Sequence, residues 1–346
     1  MQANIIILTI SVLFEYVSAK NWRFTGNMTV PREYHTATML IDGKILVAGG
    51  DAVSSDWSTA EIYDPTLGHW TTTGNMNCTR SMHTASALKN GKILIAGGDT
   101  DTAELYDPST GRWANTGNMN HARFLHTASV LSDGKVLVVG GMSQDQTAEL
   151  YDPTTGQWTQ TDDLNYSRQY HTATVLNDGR VLVVGGTVNS AEIYDPSTGH
   201  WTLTNDLNDK RALHGASILK DGKVLVIAGF TEDMRYVTST EVYDPSTNKW
   251  TITSKGAVGG LFVKTVLLRD GRVLIAGGDF LDPEPLIRSS TNFAAVYDPN
   301  SRNWMTLGNM NIARSHHTLM ALNDGRVLAI GGIDDYTTNT VEFYNL

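Results

Sequence analysis

An Arg-x-x-His motif recurs along this sequence, and a histidine at one position of a repeat could set a ring of imidazoles around an axis. The copies, each with an arginine three residues before its histidine, are Arg32/His35, Arg80/His83, Arg123/His126, Arg168/His171, Arg211/His214 and Arg314/His317. A metal ion needs three or four ligands that converge on one point. One imidazole per repeat would instead be spread around a wide channel. We therefore interpret these histidines as packing and hydrogen-bonding residues, and we predict no metal site.

One repeat departs from this motif, because Gly260 and Val263 stand where arginine and histidine are expected. His316 lies directly before the last histidine of the series and outside its register. We predict that His316 is the most exposed of the ten histidines.

Other motifs of catalysis are missing. The sequence has no Gly-x-Ser-x-Gly nucleophile elbow, no phosphate-binding loop and no His-Glu-x-x-His zinc motif. Hydrolase and nucleotide-binding functions therefore have no motif to support them, and we expect no cofactor. Whether the protein is an enzyme stays open at this point, with a non-catalytic role favoured.

The elements that must position these residues are seven copies of one unit. An apolar run ends in a Gly-Gly pair at a mean spacing of about 47 residues between Gly49 and Gly331, with Gly229-Phe230 as a degenerate copy. An Asp-Gly or Asn-Gly turn joins two strand-like segments in every unit, and a Tyr-Asp-Pro turn follows in six of them. Each unit thus contains four antiparallel strands. Seven such units without helices predict an all-β, seven-bladed β-propeller.

The two ends of the chain indicate how the ring closes. The last unit stops after Phe343-Tyr344 without a fourth strand, whereas residues 21–28 match residues 69–76, which hold the fourth strand of the first unit. We predict that the N-terminal strand around Trp22 completes the last blade, which would remove two sheet edges at once. A tryptophan marks this strand in every blade: Trp22, Trp70, Trp113, Trp158, Trp201, Trp250 and Trp304.

A Gly-Gly pair followed by a Tyr and a Trp at these spacings resembles the kelch repeat. The resemblance covers essentially all of the chain after its first 19 residues. The Arg-x-x-His-Thr-Ala start of the unit is similar to the propellers of galactose oxidase and glyoxal oxidase. Kelch membership implies the propeller but no particular activity. Copper-radical oxidation, which those oxidases would imply, needs a Cys crosslinked to a Tyr, further Tyr and His ligands and an additional domain. Cys78 is the single cysteine and the sequence stops with the seventh blade, so we do not expect this activity.

The units differ most in the loop between their second and third strands. This loop is longer in units one, five, six and seven, at residues 51–59, 231–240, 279–293 and 333–340. Because these units are neighbours on a closed ring, we predict a recognition surface in one sector of one face. The candidate binding residues are aromatic, acidic or basic: Asp56, Trp57, Asp233, Arg235, Tyr236, Phe280, Asp282, Arg288, Asp335 and Tyr336.

The bulk composition excludes some partners. A formal net charge of −10 argues against nucleic acid, whose phosphates require a basic surface. A single cysteine excludes an intrachain disulfide and a cysteine-based zinc site. The oligomeric state is not indicated by any pattern in the sequence.

The first residues differ from the rest. Residues 5–14 form an apolar run that is too short to span a bilayer, and Val17-Ser18-Ala19 follows as a small-x-small cleavage site. We therefore predict a signal peptide of residues 1–19, a single propeller of residues 20–346, no membrane span and secretion. Three sequons, at Asn27, Asn77 and Asn165, are glycosylation candidates. They lie between fourth and first strands, so we expect glycans to leave the long loops open.

These observations support three functions. The first is a secreted, non-catalytic scaffold that recognises a protein or a glycan through the loops of blades 5, 6, 7 and 1. The second is a small sugar-processing enzyme of the mutarotase or lyase type, which would require acids and a histidine to converge at the mouth of the axis. The third is a cytoplasmic kelch adaptor for actin or a ubiquitin ligase.

Overall fold

The computed structural model describes residues 22–51, 57–142, 146–186, 188–233, 235–254, 260–283 and 286–345, apart from the side chains of residues 281–288. The predicted signal peptide of residues 1–19 and Asp56 lie outside these ranges, as do the side chains of Asp282 and Arg288. The described ranges contain only strands and turns. No helix in them is long and apolar enough to cross a membrane.

The strands form seven four-stranded antiparallel sheets. In chain order, β1 (Trp22–Phe24) precedes blade 1, which contains β2 (Thr36–Met39), β3 (Ile45–Ala48), β4 (Ala60–Asp64) and β5 (His69–Thr72). Blades 2 and 3 contain β6 (Thr84–Ala87), β7 (Ile93–Ala96), β8 (Ala103–Asp107), β9 (Arg112–Asn115), β10 (Thr127–Val130), β11 (Val136–Val139), β12 (Ala148–Asp152) and β13 (Gln157–Gln160). Blades 4 and 5 contain β14 (Thr172–Val175), β15 (Val181–Val184), β16 (Ala191–Asp195), β17 (His200–Leu203), β18 (Gly215–Ile218), β19 (Val224–Ile227), β20 (Thr240–Asp244) and β21 (Lys249–Ser254).

Blades 6 and 7 depart from this simple order. Blade 6 consists of β22 (Lys264–Leu267), β23 (Val273–Ala276), β26 (Ala294–Asp298) and β27 (Asn303–Thr306), and a separate hairpin of β24 (Asp279–Pro283) and β25 (Leu286–Ser290) is inserted between its second and third strands. Blade 7 consists of β28 (Thr318–Ala321), β29 (Val327–Ile330), β30 (Val341–Tyr344) and β1. Trp22 pairs with Tyr344, so the N-terminal strand closes the ring as predicted.

Hydrophobic patterning explains why the sheets stand radially. All four residues of every second strand are buried, because each such strand is covered on both faces by neighbouring blades. The first strands of adjacent blades contact one another around the axis, including β28 with β2. On the outer side, the Tyr of each third strand packs on the Trp of the fourth, with ring centroids 4.9–5.3 Å apart.

One face of the ring carries both the loops between second and third strands and the connections from each fourth strand to the next first strand. The two sets pair locally, as in the bridge between Glu33 and Asp51 and that between Ser315 and Ile333. We call this the loop face. The sequons lie on it too. Two are beside long loops, because the N–H of Met28, next to Asn27, donates to the carbonyl of Asn339 at 3.0 Å and the N–H of Met76, next to Asn77, donates to that of Ser58 at 2.8 Å. That glycans at the sequons leave the long loops open stays a prediction.

The second glycine of each pair joins one blade to the next. Its N–H donates to the carbonyl of the residue at the arginine position of the following blade, at 2.7–3.1 Å in all seven junctions. At Gly50, φ is 90°, and an added Cβ would lie 2.5 Å from the carbonyl oxygen of Glu33. In blade 5 the second position of the pair is Gly229, and the first is Ala228 with φ 60°. The predicted pair Gly229-Phe230 was therefore wrong by one residue.

The same arginines lie on the connection between two blades and bind it to the second of them. Each guanidinium is buried against a glutamate of the third strand, at 2.7–3.2 Å: Arg32–Glu61, Arg80–Glu104, Arg123–Glu149, Arg168–Glu192, Arg211–Glu241 and Arg314–Glu342. Arg80 also donates to the carbonyls of Gly97 and Thr102, and Glu104 accepts the backbone N–H of Asn77. Blade 6 lacks both charges, because Gly260 and Ala295 occupy the two positions. Their joint absence avoids an unpaired buried charge.

The histidines form a second ring. In five of the six, Nε2 contacts the hydroxyl of a threonine at the start of the preceding blade's first strand, at 2.8–3.1 Å: His35–Thr318, His83–Thr36, His126–Thr84, His171–Thr127 and His214–Thr172. The sixth, His317, follows a blade whose first strand begins with Lys264. Burial, followed by the positive charge of the neighbouring arginine, lowers the pKa of His35, His83, His126 and His171 to about 3. The interpretation of these residues as structural is consistent with this packing.

We predict that the arginine and glutamate are energetically coupled. Arg80→Met or Glu104→Ala alone leaves a buried charge and should lower the free energy of unfolding by about 3–5 kcal/mol. The double variant should lose clearly less than the sum, as urea denaturation would show. The control is the exposed pair Arg180→Met and Asp178→Asn, whose loss should cost at most about 1 kcal/mol. Additive losses at Arg80 and Glu104 would contradict the coupling.

The histidine ring predicts acid sensitivity. Because the folded pKa lies below the ordinary 6.5, the unfolded chain binds more protons, and stability present above pH 6.5 should fall as the pH drops toward 3. His126→Gln keeps a hydrogen-bonding group beside Thr84 but does not titrate. It should reduce the slope of unfolding free energy against pH by up to about 1.4 kcal/mol per pH unit. An unchanged slope, equal to that of the exposed control His69→Gln, would refute this role.

Candidate functional site

A ring of seven residues covers the mouth of the axis on the loop face. Each directly precedes the position of a ring histidine and has a left-handed backbone, with φ of 51–56°: Tyr34, Met82, Leu125, Tyr170, Leu213, Phe262 and His316. The N–H of Tyr34 donates to the carbonyl of His316, and Met82 donates likewise to Tyr34, at 3.1–3.2 Å. Such a conformation is uncommon outside glycine and concentrates where surrounding contacts enforce it. Here it recurs at the same position of all seven blades, directly before each first strand, and brings three of the side chains, Tyr34, Phe262 and His316, into contact.

His316 belongs to this ring, and its predicted exposure was wrong. Its side chain is only 2% exposed. Nδ1 lies 2.9 Å from Oε2 of Glu33, and Nε2 lies 2.9 Å from the hydroxyl of Tyr34. The imidazole also stacks on Tyr34, with ring centroids 3.9 Å apart, and meets Phe262 edge-on at 4.4 Å. Residues from blades 6, 7 and 1 therefore converge at the axis.

Carboxylates surround this histidine. Oδ2 of Asp279, a buried residue at the start of the inserted hairpin, lies 3.8 Å from Nε2 of His316. Ser290, at the other end of the hairpin, donates to Asp279 Oδ1 at 3.2 Å and to the carbonyl of Ile333 at 2.9 Å. Partial burial, and then the negative charges of Asp335 and Asp279, raise the pKa of Asp334.

These groups line a cleft of about 400 Å³ at the mouth of the axis. Its walls are formed by Glu33, Tyr34, Asp279, Ser289, Ser290, Ser315, His316, Ile333, Asp334 and Asp335. We call it the axis cleft. It offers carboxylate and hydroxyl oxygens beside an aromatic floor, which suits a ligand rich in hydrogen-bond donors or positive charge. Within the described ranges, no group of three or more His, Cys, Asp or Glu residues is arranged to hold a metal ion.

The predicted binding residues lie around this cleft in separate groups. Asp335 lines the cleft itself, and the neighbouring Tyr336 is 83% exposed. Tyr236 of blade 5 and Phe280 of the hairpin meet edge to face, with ring centroids 5.8 Å apart.

The other predicted residues that the structure describes do not line the axis cleft. Asp233 and Arg235 form an exposed ion pair with each other within their own loop. Trp57, which is 38% exposed, borders a second cleft of about 430 Å³ together with Cys78, Met82 and Phe124. The prediction thus named one acid of the axis cleft, Asp335.

Sequence reasoning missed Glu33, Asp279, Asp334 and the role of His316. One signal was available: a bulky residue stands before the histidine position in every unit, and only the seventh unit has a histidine there.

The three sequon asparagines are exposed in the described ranges. Asn165 donates through Nδ2 to the buried Glu192 at 2.6 Å, the same contact that Asn120 makes with Glu149. The Nδ2 of Asn77 donates instead to Asn115 at 2.9 Å. Use of the sequons remains a prediction. At Asn165 the glycan would be attached to the same Nδ2 atom that donates to Glu192.

Comparisons with known proteins place the fold. The family model described as Kelch motif matches residues 34–77, 123–165, 168–208 and 211–255, half of the chain. A segment of 62 residues is 42% identical to Alpha-scruin of Limulus polyphemus, over 17% of this chain and 6% of that protein. A solved fungal alcohol oxidase of the AA5 family, in complex with copper, aligns with a TM-score of 0.78 at 16% identity, over 93% of this chain and 76% of that chain. At that identity the likeness concerns the fold alone.

Proposed function

The chain belongs to the kelch-repeat family, and from that premise we propose that it is a non-catalytic scaffold whose loop face binds a protein partner. Kelch repeats are the basis for a binding role, and the match to Alpha-scruin covers too small a part of that protein to transfer more. The sector that we propose is formed by blades 5, 6, 7 and 1, as expected from the long loops. Its centre is the axis cleft.

The observation that carries this proposal is the placement of carboxylates in a cleft beside exposed aromatic rings. Asp334 and Asp335 are exposed at the edge of the cleft, and Glu33 is 14% exposed inside it. Phe280 and Tyr336 project from the same sector. Aromatic anchors around charged groups are typical of energetically important interface residues.

The carboxylates and aromatic rings of the cleft favour a partner with a basic side chain. An arginine side chain presents a planar fork that matches carboxylates and stacks on aromatic faces, and a lysine supplies a point charge. The net charge of −10 would favour encounter with a basic surface. We therefore propose that the partner inserts a basic side chain into the axis cleft.

Acid–base catalysis on a sugar is the second candidate, because His316, Glu33 and Asp279 do converge at the axis mouth. Both ring nitrogens of His316 already contact Glu33 and Tyr34, and its side chain is 2% exposed. A catalytic acid or base must come within hydrogen-bonding distance of the reacting group. His316 would have to act through Glu33 or Tyr34, so we rank binding above catalysis. A glycan ligand would use the same oxygens and rings, and its binding is a further outcome to test.

The binding proposal predicts a loss of affinity on neutralising the cleft. Peptide pools with one position fixed as Arg, Lys, Glu or norleucine would be titrated by fluorescence polarisation against the full chain. The Arg and Lys pools should bind most tightly, and Asp334→Asn with Asp335→Asn should weaken them about tenfold, or about 1.4 kcal/mol.

The matched control is Asp42→Asn with Asp133→Asn, which changes net charge equally at first-to-second-strand turns. Those turns are on the face opposite the loop face. An equal loss in this control would reduce the effect to bulk charge, and a preference for the Glu pool would reject the proposal.

Secretion is likewise a proposal, supported by the signal-like start of the sequence. Expression of the full chain in eukaryotic cells should deliver protein to the medium with an N-terminus at Lys20, determined by Edman sequencing. Treatment with an endoglycosidase should reduce its mass if Asn27 or Asn77 is glycosylated. Protein that stays in the cell with residues 1–19 intact would reject secretion.

A further inference from the structure

A second unusual group lies inside the channel, at the ring of histidine–threonine contacts. The threonine position is the first residue of each first strand, and two blades depart from it: blade 5 has Gly215 and blade 6 has Lys264. Each departure faces a different partner in the following blade. Gly215 faces Val263, and Lys264 faces His317.

The first departure removes both partners of one contact. An added Cβ at Gly215 would lie 2.5 Å from Cγ2 of Thr265 and 3.3 Å from Cγ2 of Val263. The hydroxyl of Thr265 donates instead to the carbonyl of Ala216 at 2.7 Å. Because threonine and histidine are both absent, no polar group is left unsatisfied at this junction.

The second departure leaves both partners polar. His317 is fully buried, and neither of its ring nitrogens has a hydrogen-bond partner among the described residues. In the other five ring histidines only Nδ1 is in that state, because Nε2 contacts threonine. A buried polar group without a partner is costly and calls for a ligand or an ion.

Lys264 occupies the strand position from which a threonine hydroxyl meets the other ring histidines. Burial, the charge of Arg314 and then the charge of Lys264 hold the pKa of His317 well below its usual value. Burial also lowers the pKa of Lys264, and no carboxylate counteracts this effect. In the described part of the chain, Lys264 is half-buried and forms no ion pair. An ammonium enclosed without a counter-charge is unfavourable.

We propose that Lys264 and His317 form a binding site for a small monovalent anion, of the halide or formate class, inside the channel. The anion would accept hydrogen bonds from the Lys264 ammonium and from Nε2–H of His317, whose other nitrogen needs no proton. It would supply the counter-charge that no described residue supplies. The partial exposure of Lys264 provides a route for exchange with solvent.

Bromide is the probe for this site. Crystals of the full chain, grown without halide and soaked in sodium bromide, should give an anomalous bromine peak within hydrogen-bonding distance of Lys264 Nζ and His317 Nε2. In solution, the unfolding midpoint of the wild type should rise with bromide concentration more than that of Lys264→Thr. This variant restores the threonine found in five of the other six blades, and it should fold because His317 regains the partner that the other ring histidines have.

Two further variants test whether the charge of Lys264 itself is responsible for bromide binding. Lys264→Met keeps the length of the side chain without charge, and it should also lose the peak and the excess bromide response. Lys135→Thr removes a partly exposed lysine outside the channel and should retain both. No peak in the wild type, or a peak that persists in Lys264→Thr, would overturn the proposal. A peak without any difference in solution between wild type and Lys264→Thr would identify an adventitious ion only and would overturn it as well.

Discussion

At six of the seven junctions a buried arginine links two neighbouring blades through two different groups. Its guanidinium pairs with the third-strand glutamate of the blade that the chain is entering, while its carbonyl accepts the N–H of the second glycine in the blade just left. The glutamate's second oxygen accepts backbone N–H groups of the connection, such as that of Asn77. The arginine and the glutamate are buried, so their charges must be satisfied by each other and by these backbone groups. In these six blades the arrangement fixes the connection that leads into the first strand.

Blade 6 shows what this constraint permits. It lacks the arginine and the glutamate together, and it lacks the ring histidine together with the threonine of blade 5. Paired losses leave no buried charge and no orphaned hydroxyl, so the blade keeps its place through hydrophobic packing and the backbone contact between Gly229 and Gly260. The same blade carries the inserted hairpin, Phe262 and Lys264. The departures from the repeat and both proposed sites are thus located at or beside blade 6.

The rigid ring also explains how loops of different blades can form one site. Seven residues with a left-handed backbone surround the axis on the loop face. The backbone N–H groups of Tyr34, Met82 and Leu125 each donate to the carbonyl of the corresponding residue in the preceding blade. His316, Tyr34 and Phe262 can therefore pack against one another although they belong to three blades. Groups preorganised in this way bind with little loss of conformational entropy.

The sequence by itself determined the number of blades, the four strands of each, the closure by Trp22 and the structural role of the ring histidines. These features follow from local patterns that recur, so each copy strengthens the interpretation of the others. It also indicated the sector of long loops, and within it Asp335 and the pair Tyr236 and Phe280. Only the tertiary structure decided that Glu33 and Asp279 meet His316, which is 283 residues from Glu33. Such contacts depend on side-chain packing between loops of different blades, and no local pattern in the chain records that packing.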